Sequence, residues 1–248
     1  MTRIKLTIEY DGSYYLGWQK QNSGKTVQRE IEKSLEILFG REINIYVAGR
    51  TDAGVHALGQ VVHFDVVQSK MEYKKISLAL NYLLKKNKNK ISILKSEKVV
   101  KSFDSRFSVK NKIYLYKILN RASPSYVHEK RVWFITKKLD LETMKQSSNH
   151  LVGKFDFNAF RSTQCQAKTS IRSIDKIKIK KEKDLIQIRV LGRSFLHNQV
   201  RIIIGTLVNV GKGIWDDKKI VNILNSKDRR NAGPTAPPHG LYLEKINY

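Results

Sequence analysis

The segment Gly49-Arg50-Thr51-Asp52-Ala53-Gly54-Val55-His56-Ala57 is the most informative stretch of the chain. Arg50 and Asp52 stand two residues apart, so in extended backbone both side chains project to one side. A guanidinium beside a carboxylate favours the charged form that burial disfavours, one way to keep an ionised carboxylate in a dry cleft. Gly49 and Gly54 let the backbone turn sharply and approach another surface. The same pair would equally suit a structural Arg–Asp contact that stiffens a hairpin. His56 and His63, with Asp52, are metal-type ligands, but their spacing fits no compact ligand motif and no metal site is expected. His63 alternates with Val62 and Phe64 along a strand, which turns it away from the core residues.

Three other places carry chemistry. In Lys112-Ile113-Tyr114-Leu115-Tyr116 the two tyrosines share one strand face, where they could stack an unpaired base or simply pack with satisfied hydroxyls. Arg201 lies in an apolar stretch with Ile202, Ile203, Ile204 and Leu207, so it needs a carboxylate or phosphate partner, structural or functional. Arg106 and Arg161 are weaker candidates of the same kind. Cys165 could be a nucleophile, but no histidine neighbours it in Ser162-Thr163-Gln164-Cys165-Gln166.

The 248 residues carry 47 Lys+Arg against 22 Asp+Glu, a formal charge of +25. Biased composition raises lysine everywhere, yet an excess of this size also suits a polyanion, and nucleic acid rewards it through counterion release. With 41% hydrophobic residues a packed core is expected. One cysteine and no apolar run of signal-peptide length after Met1 point to a reduced, cytoplasmic protein. No stretch has the length and apolarity of a membrane span. The absence of a Gly-rich dinucleotide motif or P-loop leaves no cofactor expected.

The elements that must position these residues follow from periodicity. Ile4, Leu6, Ile8 and Tyr10 alternate as a strand ending at Asp11-Gly12-Ser13. Thr26 can cap a helix with the stripe Val27, Ile31, Leu35 and Leu38, stopped by Gly40. Strands at Ile43–Val47 and Val62–Val66, a helix over Tyr73–Leu83 and a strand at Ile91–Val100 complete a β-α-β-β-α-β order, the ferredoxin-like arrangement. Downstream come strands at 112–119 and 131–135, a helix at 141–151 capped by Asp140, and a hairpin of 174–179 with 185–190. A helix at 198–210, a short one after Asp216 and a strand at 241–246 follow. The pattern nearly recurs, so the expected fold is α+β: two ferredoxin-like halves, 1–106 and 107–248, whose antiparallel sheets form a central RNA-binding cleft.

Tyr10-Asp11-Gly12-Ser13, Gly17-Trp18-Gln19-Lys20-Gln21, Gly49 to Ala57, Phe107 with Lys112 to Tyr116, Phe155 to Arg161, Phe195 to Gly205 and Pro237-Pro238-His239-Gly240-Leu241 run in order almost from end to end. Together they resemble the blocks of the tRNA pseudouridine synthase A family, the Gly-Arg-Thr-Asp-Ala-Gly-Val-His run being highly specific. The resemblance implies isomerisation of uridine to pseudouridine at nucleotides 38, 39 and 40 of the tRNA anticodon stem-loop, by a homodimer that uses no small-molecule cofactor. It marks Asp52 as the catalytic aspartate and expected nucleophile. Tyr114 then matches the residue that contacts the uracil, Arg50 the one that helps displace the base, and Arg201 the basic partner of the aspartate. In chemical terms an ionised aspartate could add to C1′, add to C6, or take a proton from C2′, and the residues do not choose among these. The uridine must also leave the stem, at a cost of about a few kcal/mol. One departure stands out: where the family usually has a proline after its second helix, this chain has Lys85-Lys86-Asn87-Lys88-Asn89-Lys90, a solvated tip or an extra phosphate contact.

A non-catalytic RNA-binding protein of two such halves is the competing reading. The two differ at Asp52, since a pure binder gains nothing from a carboxylate aimed at phosphates.

Overall fold

The computed structural model describes residues 1–67 and 71–248. The chain separates into two compact units, Met1–Lys110 with Tyr242–Tyr248, and Asn111–Leu241.

In the first unit the alternation of the opening residues produces strand β1 (Thr2–Tyr10), with Ile4, Leu6, Ile8 and Tyr10 buried. Helix α1 (Val27–Phe39) buries Val27, Ile31 and Leu35 and ends where Gly40 turns left-handed at φ 69°. Thr26 stands at its start without a side-chain capping bond. Strand β2 is only Tyr46–Val47: Ile43 and Ile45 are buried but lie outside the strand. Strand β3 (His56–Val66) begins six residues before the alternation announces it. Helix α2 (Ile76–Lys86) follows one 3-10 turn, and β4 (Ile91–Val99) returns beside β1. The order is β4-β1-β3-β2, every adjacent pair antiparallel. At the register shift between β1 and β4, the Asn81 side chain accepts from Ile93 N–H (2.7 Å) and donates to Ile93 C=O (2.9 Å).

The closing strand β10 (Leu241–Asn247), which the sequence pattern assigns to the second half, belongs from Tyr242 onward to this first unit. It runs parallel to the start of β3, pairing Tyr242 with His56 and Leu243 with Ala57. Gly59 permits the approach, because a Cβ there would lie 2.8 Å from the Glu244 carbonyl oxygen.

The second unit contains β5 (Asn111–Asn120), β6 (Trp133–Ile135), α3 (Leu141–Asn149), β7 (Gly153–Asp156), β8 (Ile171–Glu182), β9 (Leu185–Gly192), α4 (Gln199–Gly211) and α5 (Lys218–Ser226). Its strands pair antiparallel in the order β5-β9-β8-β7, with β6 parallel to β5. The Asp140 carboxylate caps α3 by accepting from the N–H groups of Glu142 and Thr143. Helix α4 is buried almost all round, leaving Arg201 and Asn209 as its half-exposed positions. Gly205 lets the 232–237 loop lie directly on this helix: a Cβ there would sit 1.8 Å from Pro234 O. No helix of the described residues is long and apolar enough to cross a membrane.

Candidate active site

Asp52 lies on the loop between β2 and β3, at the end of the sheet where β1 finishes. The loop is fastened residue by residue. Thr51 is buried, with its Oγ1 2.7 Å from the hydroxyl of Tyr10, and its carbonyl accepts from Trp18 N–H at 3.0 Å. Gln60 donates from Nε2 to Gly49 C=O at 2.8 Å. Asp52 C=O accepts from Val55 N–H at 3.2 Å across a turn in which Gly54 takes φ 77°. Burial pushes the Tyr10 phenol up to about 12, so it stays a neutral hydrogen-bonding group beneath the loop.

Two glycines of the neighbouring segment admit this packing. A Cβ on Gly12 would lie 2.0 Å from Val55 O, and one on Gly17, itself at φ 93°, would lie 2.9 Å from Thr51 O. Residues 10–21 therefore form the seat of the Asp52 loop. His56 joins loop to seat: its Nδ1 accepts from Gly12 N–H at 3.1 Å and lies 3.1 Å from Asp11 Oδ1, while its ring stacks on Tyr242 at 4.7 Å. Thr51 and Val55 are buried and Asp52 between them is half-buried. Arg50 is exposed, and among the described residues no ion pair joins it to Asp52, so the structure shows neither a stiffening Arg–Asp contact nor a guanidinium of Arg50 set against the carboxylate.

In the second unit the two tyrosines of β5 separate in role. Tyr116 is fully buried; its hydroxyl donates to Pro237 C=O at 2.8 Å, its ring meets Trp133 edge-on at 6.2 Å, and a Cβ on Gly240 would lie 2.6 Å from it. Burial holds its phenol well above the ordinary value. It is the packing tyrosine. Tyr114 is half-buried, opposite Val190, with the Phe195 ring edge-on at 5.2 Å. Arg201 donates from Nε to Ala236 C=O (2.7 Å) and from Nη1 to Asn198 Oδ1 (2.9 Å), so its guanidinium is held by the loop that Gly205 seats and by the residue that opens α4. Asn198 stands at φ 61°, a conformation asparagine tolerates better than most residues. Its role escapes sequence reading, and so does that of His239, which burial and then the Arg201 charge hold below the ordinary histidine value.

The other candidates lie elsewhere. His63 is buried on the supposedly outward face of β3, stacked on Tyr46 at 5.0 Å with Nδ1 3.0 Å from Ser105 Oγ, because residues 103–105 cover that face. Cys165 is half-buried in a turn, with its N–H donating to Ser162 C=O. Arg106 is exposed over the Phe107 ring, and Arg161 is half-buried after a short 3-10 turn.

The sequence model described as tRNA pseudouridine synthase matches residues 6–108 and 148–248. Proteins named tRNA pseudouridine synthase A align over the whole length: one from Bartonella tribocorum is 46% identical over 248 residues, covering all of both chains. One from Anaplasma phagocytophilum is 45% identical, covering 99% of this chain and 100% of the relative. The chain belongs to the tRNA pseudouridine synthase A family. It is thus an enzyme, an isomerase acting on tRNA, and a relative from Sinorhizobium fredii, 44% identical over 250 residues and covering both chains completely, agrees. Within this synthase Arg50, Asp52 and Arg201 fall inside the matched segments, whereas Tyr114 lies in the interval 109–147, spanned by the full-length relatives.

Proposed function

We propose that this synthase isomerises uridine to pseudouridine at positions 38, 39 and 40 of the tRNA anticodon stem-loop, with Asp52 as the catalytic nucleophile. The reaction breaks N1–C1′, joins C5 to C1′, and moves the C5 proton to solvent while N1 gains one. It requires no electron or group donor. As nucleophile, the Asp52 carboxylate bonds transiently to C1′, displacing N1, or to C6 of the uracil, and that bond breaks again before pseudouridine is released. Arg50 helps displace the base, Tyr114 contacts the uracil, and Arg201 serves as the basic partner of the aspartate. The observation that carries this reading is the mounting of Asp52. A half-buried carboxylate stands between two buried residues on a loop pinned from Tyr10, Gly12, Trp18 and Gln60, the preorganisation that nucleophilic attack demands.

A charge of +25 suits an RNA substrate. The β4-β1-β3-β2 order supports a ferredoxin-like first half, and we extend that reading to the second half, with the two sheets forming an RNA cleft in a cytoplasmic homodimer. The test uses unmodified tRNA transcript with tritium at C5 of uridine, since joining C5 to C1′ expels that hydrogen. Release by the enzyme, lost only when uridines 38 to 40 are replaced by cytidine, is expected. Release that survives this replacement would overturn the assigned positions.

A further inference from the structure

The lysine-rich segment between α2 and β4 lies at the same end of the first unit's sheet as Asp52. Tyr10, the last residue of β1, pairs with Ile91 on one side and Ala57 on the other. The lysine tip runs directly into Ile91 and the Asp52 loop directly into His56, so two strand spacings, about 10 Å, separate their exits.

The tip is also fastened to the seat of the Asp52 loop. Asp11 N–H donates to Lys90 C=O at 3.0 Å, and Lys90 N–H donates to the Tyr15 hydroxyl at 2.8 Å. That hydroxyl donates to Asn89 Oδ1 at 3.3 Å, while Asn89 Nδ2 donates to Glu30 Oε2 at 3.0 Å. The nearby carboxylate is thereby engaged by an amide and not by a lysine. Backbone bonds from Lys88 N–H to Lys85 C=O (2.9 Å) and from Asn89 N–H to Leu84 C=O (2.9 Å) close the turn. Lys85, Lys86, Lys88 and Lys90 are all exposed, and among the described residues none of them forms an ion pair. Lys90 Nζ lies 5.8 Å from the ring of the exposed Tyr14, and Lys25 Nζ lies 5.6 Å from the Tyr15 ring, which adds a fifth cation to the same surface.

Five lysines on a braced scaffold, none of them paired with a carboxylate among the described residues, outnumber the Glu30 and Asp11 carboxylates beside them, and such a net positive field at the rim of a nucleic-acid site fits backbone phosphates. We infer that Lys25, Lys85, Lys86, Lys88 and Lys90 form a phosphate-contact surface that grips the RNA backbone flanking the uridine presented to Asp52. The inference rests on tRNA as the substrate and adds a contact that is independent of sequence and sensitive to salt.

The test replaces Lys85, Lys86 and Lys90 together by Gln and measures tRNA affinity by fluorescence anisotropy across a salt series. A matched control replaces Lys74, Lys98 and Lys101 by Gln; these lie farther along β4, from about 17 Å (Lys74, beside Ser96) to about 30 Å from Ile91. Thermal melting checks that both variants are folded. The expected result is several-fold weaker binding by the tip variant at low salt, with the slope of log affinity against log salt shallower by about 2, and little change in the control. An unchanged slope in the tip variant, or an equal loss in both variants, would overturn the inference. Tritium release by the wild-type enzyme, measured on the same tRNA, reads the isomerase assignment separately.

Discussion

In the first unit the candidate residue stands on an irregular loop, whereas in the second Tyr114 and Arg201 stand on a strand and a helix. The means of support differ accordingly. Asp52 is held by main-chain bonds and by glycines that admit a backbone neighbour, and the chain on either side of it has little freedom to shift. Tyr114 inherits its position from the β5–β9 register and Arg201 from α4, with the Gly205-seated loop supplying the carbonyl that fixes the guanidinium. A residue on a regular element needs only its terminal atoms oriented; a residue on a loop needs the whole loop built around it.

The sharpest way to break this contrast is to add one methyl group in each unit. Gly12→Ala drives a Cβ into Val55 O, and Gly205→Ala drives one into Pro234 O; overpacking of this kind costs about 1–3 kcal/mol or more. Both should lower the melting temperature. Gly12→Ala should also remove most turnover in a tritium-release assay, because the Asp52 loop itself must move. Gly205→Ala should retain more activity at a temperature where both are folded, since α4 still carries Arg201. Equal activity losses would dissolve the distinction.

A smaller effect separates the tyrosines within one strand. Tyr116→Phe removes the bond to Pro237 and should cost about 0.5–1.5 kcal/mol in denaturant unfolding. Tyr114→Phe should lower the rate of isomerisation more than Tyr116→Phe does. The reverse pattern would exchange the structural and substrate roles.

The smallest effect is pH dependence, with one histidine in each unit. Burial first, then the Arg3 charge, holds His63 below its ordinary value, and burial, then Arg201, does so for His239. A depressed histidine is neutral when folded and takes up its proton more readily when unfolded. Its contribution is therefore present above about pH 6.5 and is lost as pH falls through the folded value. Melting temperature should drop between pH 7.5 and 5.5, and His63→Asn should flatten part of that drop. An unaltered pH profile in the variant would show that His63 titrates alike in the folded and unfolded states.

Local pattern reveals much of this architecture. The alternation in β1, the stripe and Gly40 stop of α1, the Asp140 cap of α3 and the β8–β9 hairpin all follow from nearest-neighbour chemistry. What escapes is non-local. β10 closes against β3, nearly two hundred residues earlier in the chain, and no periodicity announces a parallel partner. β7 is four residues long, too short to show alternation. Periodicity places Tyr114 and Tyr116 on one face but cannot say that the Pro237–Gly240 turn buries only the second. His63 likewise looks outward until the 103–105 segment covers it. The loop of Asp52 is conspicuous by its residue types, while its seat of Gly12, Gly17 and His56 becomes intelligible only once the backbone contacts are seen.

The most direct test of the central claim compares wild type with Asp52→Asn, which keeps the shape and removes the charge. Both are given the same C5-tritiated tRNA, with binding measured in parallel. Tritium release by the wild type alone is expected, with the variant folded and its tRNA affinity within a few-fold of wild type. Equal release by the two proteins would contradict the assignment of Asp52 as the catalytic aspartate.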